Sequence, residues 1–109
     1  MSNNSSNINE AARRYAKALF LASESDSSIL SNFKKDFDKL YSAYKQSEDL
    51  RAFILSPLIK RVQKQKTLIL ILSKMELSEN FIGFFKIVAE HSKLFLLEKI
   101  HFEFKKLLD

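Results

Sequence analysis

Few side chains in this sequence combine a type and a spacing that could do chemistry. The two histidines, His91 and His101, have no partner at metal-ligand spacing on the same helix, such as a His-Glu-x-x-His pattern. Each reads as a structural or solvated residue. The stretches SNFK and SAYK match the Ser-x-x-Lys of some acyl-transfer enzymes. That pattern is common by chance, and both copies sit on one ordinary amphipathic helix without the companion motifs. Asp36 and Asp38, two apart on a helix, point away from each other and cannot act as a carboxylate pair. A single glycine cannot build a phosphate-cradling loop. The absence of cysteine removes thiol nucleophiles, disulfides and thiolate metal sites. The expectation is a non-enzymatic protein with no cofactor and no metal.

Charge offers one more candidate. The net charge of +5 permits binding to nucleic acid or anionic lipid. KRVQKQK places Lys60, Arg61 and Lys64 within about a third of a helical turn, a modest basic edge. The lysines of the second helix, Lys34, Lys35, Lys39 and Lys45, are scattered and mixed with Asp36 and Asp38, as on a solvated surface. Neither a recognition-helix turn nor an aromatic platform over a basic groove is visible, so nucleic acid is not an expected partner. LILIL at residues 68–72 is the longest dense apolar patch, far short of the roughly 20 residues that span a bilayer. The opening MSNNSSN has no apolar core and does not read as a secretory signal.

The elements that must position any site are helices. One glycine and one proline in 109 residues leave little material for turns, which favours long helices joined by short polar connections. The expected architecture is all-α: one compact six-helix bundle, one helix short, over residues 8–109, behind a disordered tail at 1–7. Asn7, with Glu10 three residues on, reads as a capping box for a first helix running to about Glu24. A second helix, capped by Ser27 or Ser28, runs to about Gln46 and gathers its apolar residues within roughly 120°. Ser47 opens a short third helix that stops before Pro57. The fourth, reaching about Lys74, wraps apolar residues round its girth through LILIL and reads as central and buried on all sides. Ser78 caps a fifth helix, ENFIGFFKIVAEH. A break near His91 to Lys93 precedes the sixth, whose core face is Leu96, Leu97, Ile100, Phe104, Leu107 and Leu108, with Phe95 and Phe102 off that face.

The first and fifth helices carry more apolar surface than one core can use. In the first, Ala11, Ala12, Tyr15, Ala16, Ala18, Leu19, Phe20 and Ala22 sweep roughly 200°. Glu10, Arg13, Arg14, Lys17 and Glu24 are confined to a narrow strip that includes Leu21. In the fifth, Phe81, Ile82, Phe84, Phe85, Ile87, Val88 and Ala89 cover roughly 220°. Glu79, Gly83, Lys86 and Glu90 form the remaining strip. Two alternatives stay open on periodicity alone. Both helices are buried all round, or a shallow Ala/Tyr floor beside an Ile/Phe wall makes a groove for an amphipathic partner helix.

RRYAKALFLA resembles the opening helix of the bacterial ATP synthase delta subunit and its mitochondrial counterpart, the oligomycin-sensitivity-conferring protein. Arg13, Tyr15, Ala16, Ala18, Leu19 and Phe20 carry the match. LRAFILSPLI resembles the family's Leu-x-x-Phe-Leu-x-Ser-Pro-x-Ile segment through Leu50, Phe53, Leu55, Ser56, Pro57 and Ile59. FFKIVAEHSKLFLLEKIHFEF resembles the helix ending in Ala-Glu-Asn-Gly/Arg-Arg-Leu and the helix after it. Departures fall at Gly83, where the family often has Asn, and at His91 and Ser92, where it has Asn-Gly or Asn-Arg. The family's second, C-terminal domain has no counterpart here, so the match is to the N-terminal domain.

The resemblance implies a stator part of the proton-translocating ATP synthase. It implies a groove between the first and fifth helices that holds the N-terminal helix of an alpha subunit. Tyr15, Ala18 and Ala22 would line it from the first helix, and Phe84, Ile87 and His91 from the fifth. Leu19, Phe20, Phe85 and Val88 fall to the domain's own core. Peripheral-stalk subunits would be met only through the missing domain. The setting implied is the cytoplasmic face of a bacterial inner membrane or, as the second choice, the matrix side of the mitochondrial inner membrane, without direct insertion, and the domain alone would be a monomer. A helical adaptor for a different partner helix, or a nucleic-acid binder working through the Lys60–Lys66 edge, are the competing readings.

Overall fold

Six α-helices and one 3-10 turn make up the computed structural model, which describes residues 2–109, with side chains from residue 7 onward. In chain order they are α1 (Ser2–Ala22), α2 (Ser27–Gln46), α3 (Glu48–Leu55), α4 (Arg61–Lys74), α5 (Glu79–Glu90), the 3-10 turn Leu94–Leu96 and α6 (Leu97–Leu108). The all-α bundle expected from the scarcity of turn residues is what forms, with no strand among the described residues.

Helix ends follow local chemistry, with differences from expectation. Helix α1 begins at Ser2, so the stretch expected as a tail is helical from that residue, and Asn7 lies inside α1 instead of capping it. Met1 lies outside the described residues. Ser and Asn only weakly disfavour helix, and a helix anchored downstream by packing extends at small cost per residue. Asp26, one residue earlier than expected, caps α2 by accepting from the Ser28 amide at 2.9 Å. A dedicated carboxylate is the stronger acceptor at a positive helix end. Ser47 caps α3 as expected, its hydroxyl accepting from the Leu50 amide at 3.1 Å. Ser78 occupies the N-cap position of α5, but its hydroxyl makes no capping bond.

The core centres on Phe37 of α2, which has no exposed surface. Its ring meets Phe81 at 5.4 Å and Phe85 at 5.3 Å on α5, and His101 at 5.0 Å and Phe104 at 5.8 Å on α6. Most of these pairs lie edge to face, the arrangement aromatic quadrupoles favour. Helix α1 packs chiefly along α6, and α4 chiefly along α5. The polar side of α2 pins the α4–α5 turn: Asp36 accepts from the Ser78 amide at 2.9 Å, and the Lys39 ammonium donates to the Met75 carbonyl.

Helix α4 corrects one expectation. Leu68 and Leu72 are fully buried, but Leu70 is 64% exposed and Val62 58%. The helix therefore lies at the edge of the bundle, seated on one face, and not at its centre. An all-round apolar sequence permits central burial without requiring it, because burial depends on how many neighbours the topology supplies. The last helix also shows less burial than expected at Leu107, which is 41% exposed.

A polar clamp joins α2 to α6. His101 stacks on Tyr41 at 4.1 Å, and its Nε2 lies 3.0 Å from Asp38 Oδ1, while Lys105 Nζ lies 3.2 Å from Asp38 Oδ2. Burial pushes the Asp38 carboxyl up, but hydrogen bonds from His101 and Lys105 and the Lys105 charge outweigh it and hold the pKa below its ordinary value. The folded value lies below the unfolded one, so the stabilisation is complete above the unfolded pKa, about 3.9, and is lost as pH falls through the folded value. Asp38→Asn should therefore cost about 1 kcal/mol at neutral pH, with partial exposure limiting the effect, and almost nothing near pH 2. Thermal melts across pH check this. Phe37→Ala should cost about 3–5 kcal/mol in a urea titration, through the cavity it leaves in the aromatic cluster.

Candidate functional site

The two over-apolar helices, α1 and α5, are joined by side chains more than by close backbone packing, since each has another helix as its main neighbour. The Tyr15 hydroxyl lies 2.8 Å from His91 Nδ1, and the Tyr15 ring meets Phe84 edge-on at 6.3 Å. Burial raises the Tyr15 pKa and the neighbouring Arg14 charge only partly opposes it, so the phenol is protonated at neutral pH. It can donate to Nδ1 of a neutral His91 ring, whose proton then sits on Nε2.

Around this bridge the surface is apolar and open. Tyr15 and Phe84 are half-buried, Ala18, Ala22 and His91 are exposed, and Ile87 is 50% exposed. Leu21, also 50% exposed, extends the apolar surface along the outer side of α1. Tyr15, Phe84 and His91 are thus brought together directly. Ile87 lies one turn before His91 on α5, and Ala18 and Ala22 continue the side of α1 that carries Tyr15. Of the residues assigned to the core, Leu19, Phe85 and Val88 are buried, while Phe20 is only half-buried and packs at the core's margin. Its position on α1 falls between the buried Ala16 side and the charged strip.

The chain around His91 is shaped by a helix stop. Helix α5 ends with His91 as C-cap and Ser92 at φ 59°. The Lys93 amide donates to the Val88 carbonyl and the Ser92 amide to the Ala89 carbonyl, both at 3.0 Å, which is a Schellman motif. Helix α4 ends the same way at Glu76, φ 60°, where the Leu77 amide donates to the Leu72 carbonyl at 3.3 Å. Neither left-handed position holds glycine. The chain's single glycine, Gly83, is instead in mid-α5, one turn before Ile87. Periodicity puts Gly83 in the polar strip of α5, and its being the one glycine of the chain is the signal that marks it.

Two concavities lie elsewhere. One of about 510 Å³ is lined by Leu55, Pro57, Ile59, Lys64, Leu94 and Phe95, and another of about 810 Å³ by residues including Arg13, Tyr44, Phe95 and Phe102. Phe95 and Phe102, off the core face in sequence, are 45% and 62% exposed there. Of the basic edge, Lys64 turns inward: its ammonium donates to the Ser56 carbonyl at 2.6 Å, and burial lowers its pKa. That leaves Lys60, Arg61 and Lys66 exposed. Among the described residues no group of His, Asp or Glu is placed to hold a metal ion, and no helix is long and apolar enough to cross a membrane. Relief of the left-handed strain next to His91 is measurable: Ser92→Gly should stabilise the bundle by about 1 kcal/mol in denaturant titration.

Comparison with known proteins places the chain among relatives of one kind. The profile of the family described as ATP synthase delta (OSCP) subunit matches residues 11–109. The ATP synthase subunit delta of Beijerinckia indica subsp. indica is 38% identical over 98 residues, covering 90% of this chain and 51% of that protein. The subunit delta of Clostridioides difficile is 33% identical over 102 residues, covering 94% and 56%. That of Paracoccus denitrificans is 33% identical over 106 residues, covering 96% and 56%. The chain spans about half the length of the curated relatives it matches. With the family profile matching across α1 to α6, the chain belongs to the ATP synthase delta (OSCP) subunit family.

Proposed function

We propose that this chain is the part of an ATP synthase stator that grips the catalytic head, by holding the N-terminal helix of an alpha subunit between α1 and α5. It would act as a non-catalytic subunit of a complex on the cytoplasmic face of a bacterial inner membrane. Stalk subunits would be reached through residues beyond the half of the family represented here. The observation that carries the reading is the uncovered apolar surface spanning two helices: Ala18, Ala22 and Tyr15 on one side, and Phe84 and a half-exposed Ile87 on the other. An amphipathic helix is the occupant that fits such a surface, because its apolar stripe matches a shallow channel in length and width. Membership of the delta (OSCP) family supports the assembly.

The role requires a durable grip and no chemistry. Apolar burial contributes roughly 25 cal/mol per Å², so several hundred Å² must be covered before the losses of association are met. Tyr15 and His91 sit between the walls, with the Tyr15 hydroxyl and His91 Nδ1 already paired to each other, so covering them leaves fewer unsatisfied groups.

Calorimetric titration with a synthetic alpha-subunit N-terminal helix from the same source tests the reading. Ala18→Trp and Ile87→Asp should each abolish binding, while both variants still melt cooperatively. Wild-type affinity should change less than about threefold between low and moderate salt, whereas binding to phosphates would collapse by orders of magnitude. Absence of any wild-type signal would remove the reading.

A further inference from the structure

Gly83 stands where the chain itself has no use for a glycine. Its φ is not positive, so the backbone conformation is open to any residue. A Cβ built on it would meet no heavy atom within 4 Å, so no neighbour in the bundle needs the space. Glycine in a helix interior is less stable than alanine, through backbone entropy. The two positions that do favour glycine, Ser92 and Glu76 with φ of 59° and 60°, carry other residues. Local structure therefore argues against glycine at the one place it occurs. On α5, Gly83 precedes the half-exposed Ile87 by four residues and follows Asn80, also exposed, by three, so all three share one outward side. The missing side chain leaves a notch beside Ile87, at the rim of the α1–α5 surface.

We infer that Gly83 is the crossing point of the partner helix on α5, the place where the two backbones come closest. The inference rests on the helix-binding reading above and adds where the helix crosses and what it must carry. Interaxial distance is set by the side chains at the contact, about 8–10 Å in ordinary packing, and a glycine at the crossing puts it at the short end. The partner helix then needs a small residue, Ala, Ser or Gly, opposite Gly83. Larger apolar residues one turn away would pack against Ile87.

The test pairs stability with affinity on the full 109-residue chain, using the same alpha N-terminal peptide. Gly83→Ala should raise the melting temperature by about 4–8 °C, the gain expected for a helix-interior glycine in a domain of this size. The same variant should weaken the peptide by at least about tenfold, and Gly83→Leu by about a hundredfold, as added side-chain volume holds the helices apart. Lys34→Ala, at an exposed position of α2, serves as control and should leave affinity unchanged. If the wild type binds, Ile87→Asp does not, and Gly83→Ala binds as well as wild type, the crossing point is wrong while the groove stands. If Gly83→Ala fails to raise the melting temperature, an internal role explains the glycine and the inference is overturned. If the wild type does not bind, the groove reading falls first.

Discussion

The packing of Phe37 against both α5 and α6 is the contact on which the rest of the structure depends. Its ring has no exposed surface and touches aromatic side chains from both helices at 5.0–5.8 Å. Helix α6 in turn carries α1, and α5 carries α4. The two helices that carry the surplus apolar surface are therefore positioned through α2, and not chiefly by each other. Close-packed aromatic rings tolerate little displacement, so the spacing of α1 and α5 is inherited from a rigid centre.

This indirect positioning explains how an apolar surface remains open in a folded bundle. Two helices seated directly on one another would have closed over Ala18, Ala22 and Ile87. Each has its own seat elsewhere, and Tyr15 reaches across to Phe84 and His91. Polar contacts reinforce the seats: Asp36 and Lys39 hold the turn before α5, Gln65 of α4 donates to the Lys86 carbonyl at 2.9 Å, and Asp38 ties α2 to His101 and Lys105. A surface framed this way is prepared before any partner arrives, which lowers the ordering cost of association.

The same logic accounts for the exposed apolar residues away from that surface. Leu55 and Phe95 line both of the concavities described above, and Leu70 and Val62 lie on the uncovered side of α4. In a small bundle an edge helix has one neighbour where a central helix has several, so part of its apolar girth meets solvent.

The sequence by itself determined the helices. Glycine and proline scarcity, the Ser47 cap, the stop before Pro57 and the break after Glu90 are local effects of backbone chemistry, and all appear in the structure. It also showed that α1 and α5 hold more apolar residues than one core needs, because periodicity counts side chains around a helix. Periodicity cannot count neighbours. It gave α4 and α5 similar all-round apolar character, and only the tertiary structure put α4 at the edge and left Phe20 half-buried. The inward turn of Lys64 onto Ser56 and the meeting of Tyr15 with His91, 76 residues apart, are likewise products of packing. Helix formation is decided within a few turns of chain, whereas burial is decided by which distant segments arrive.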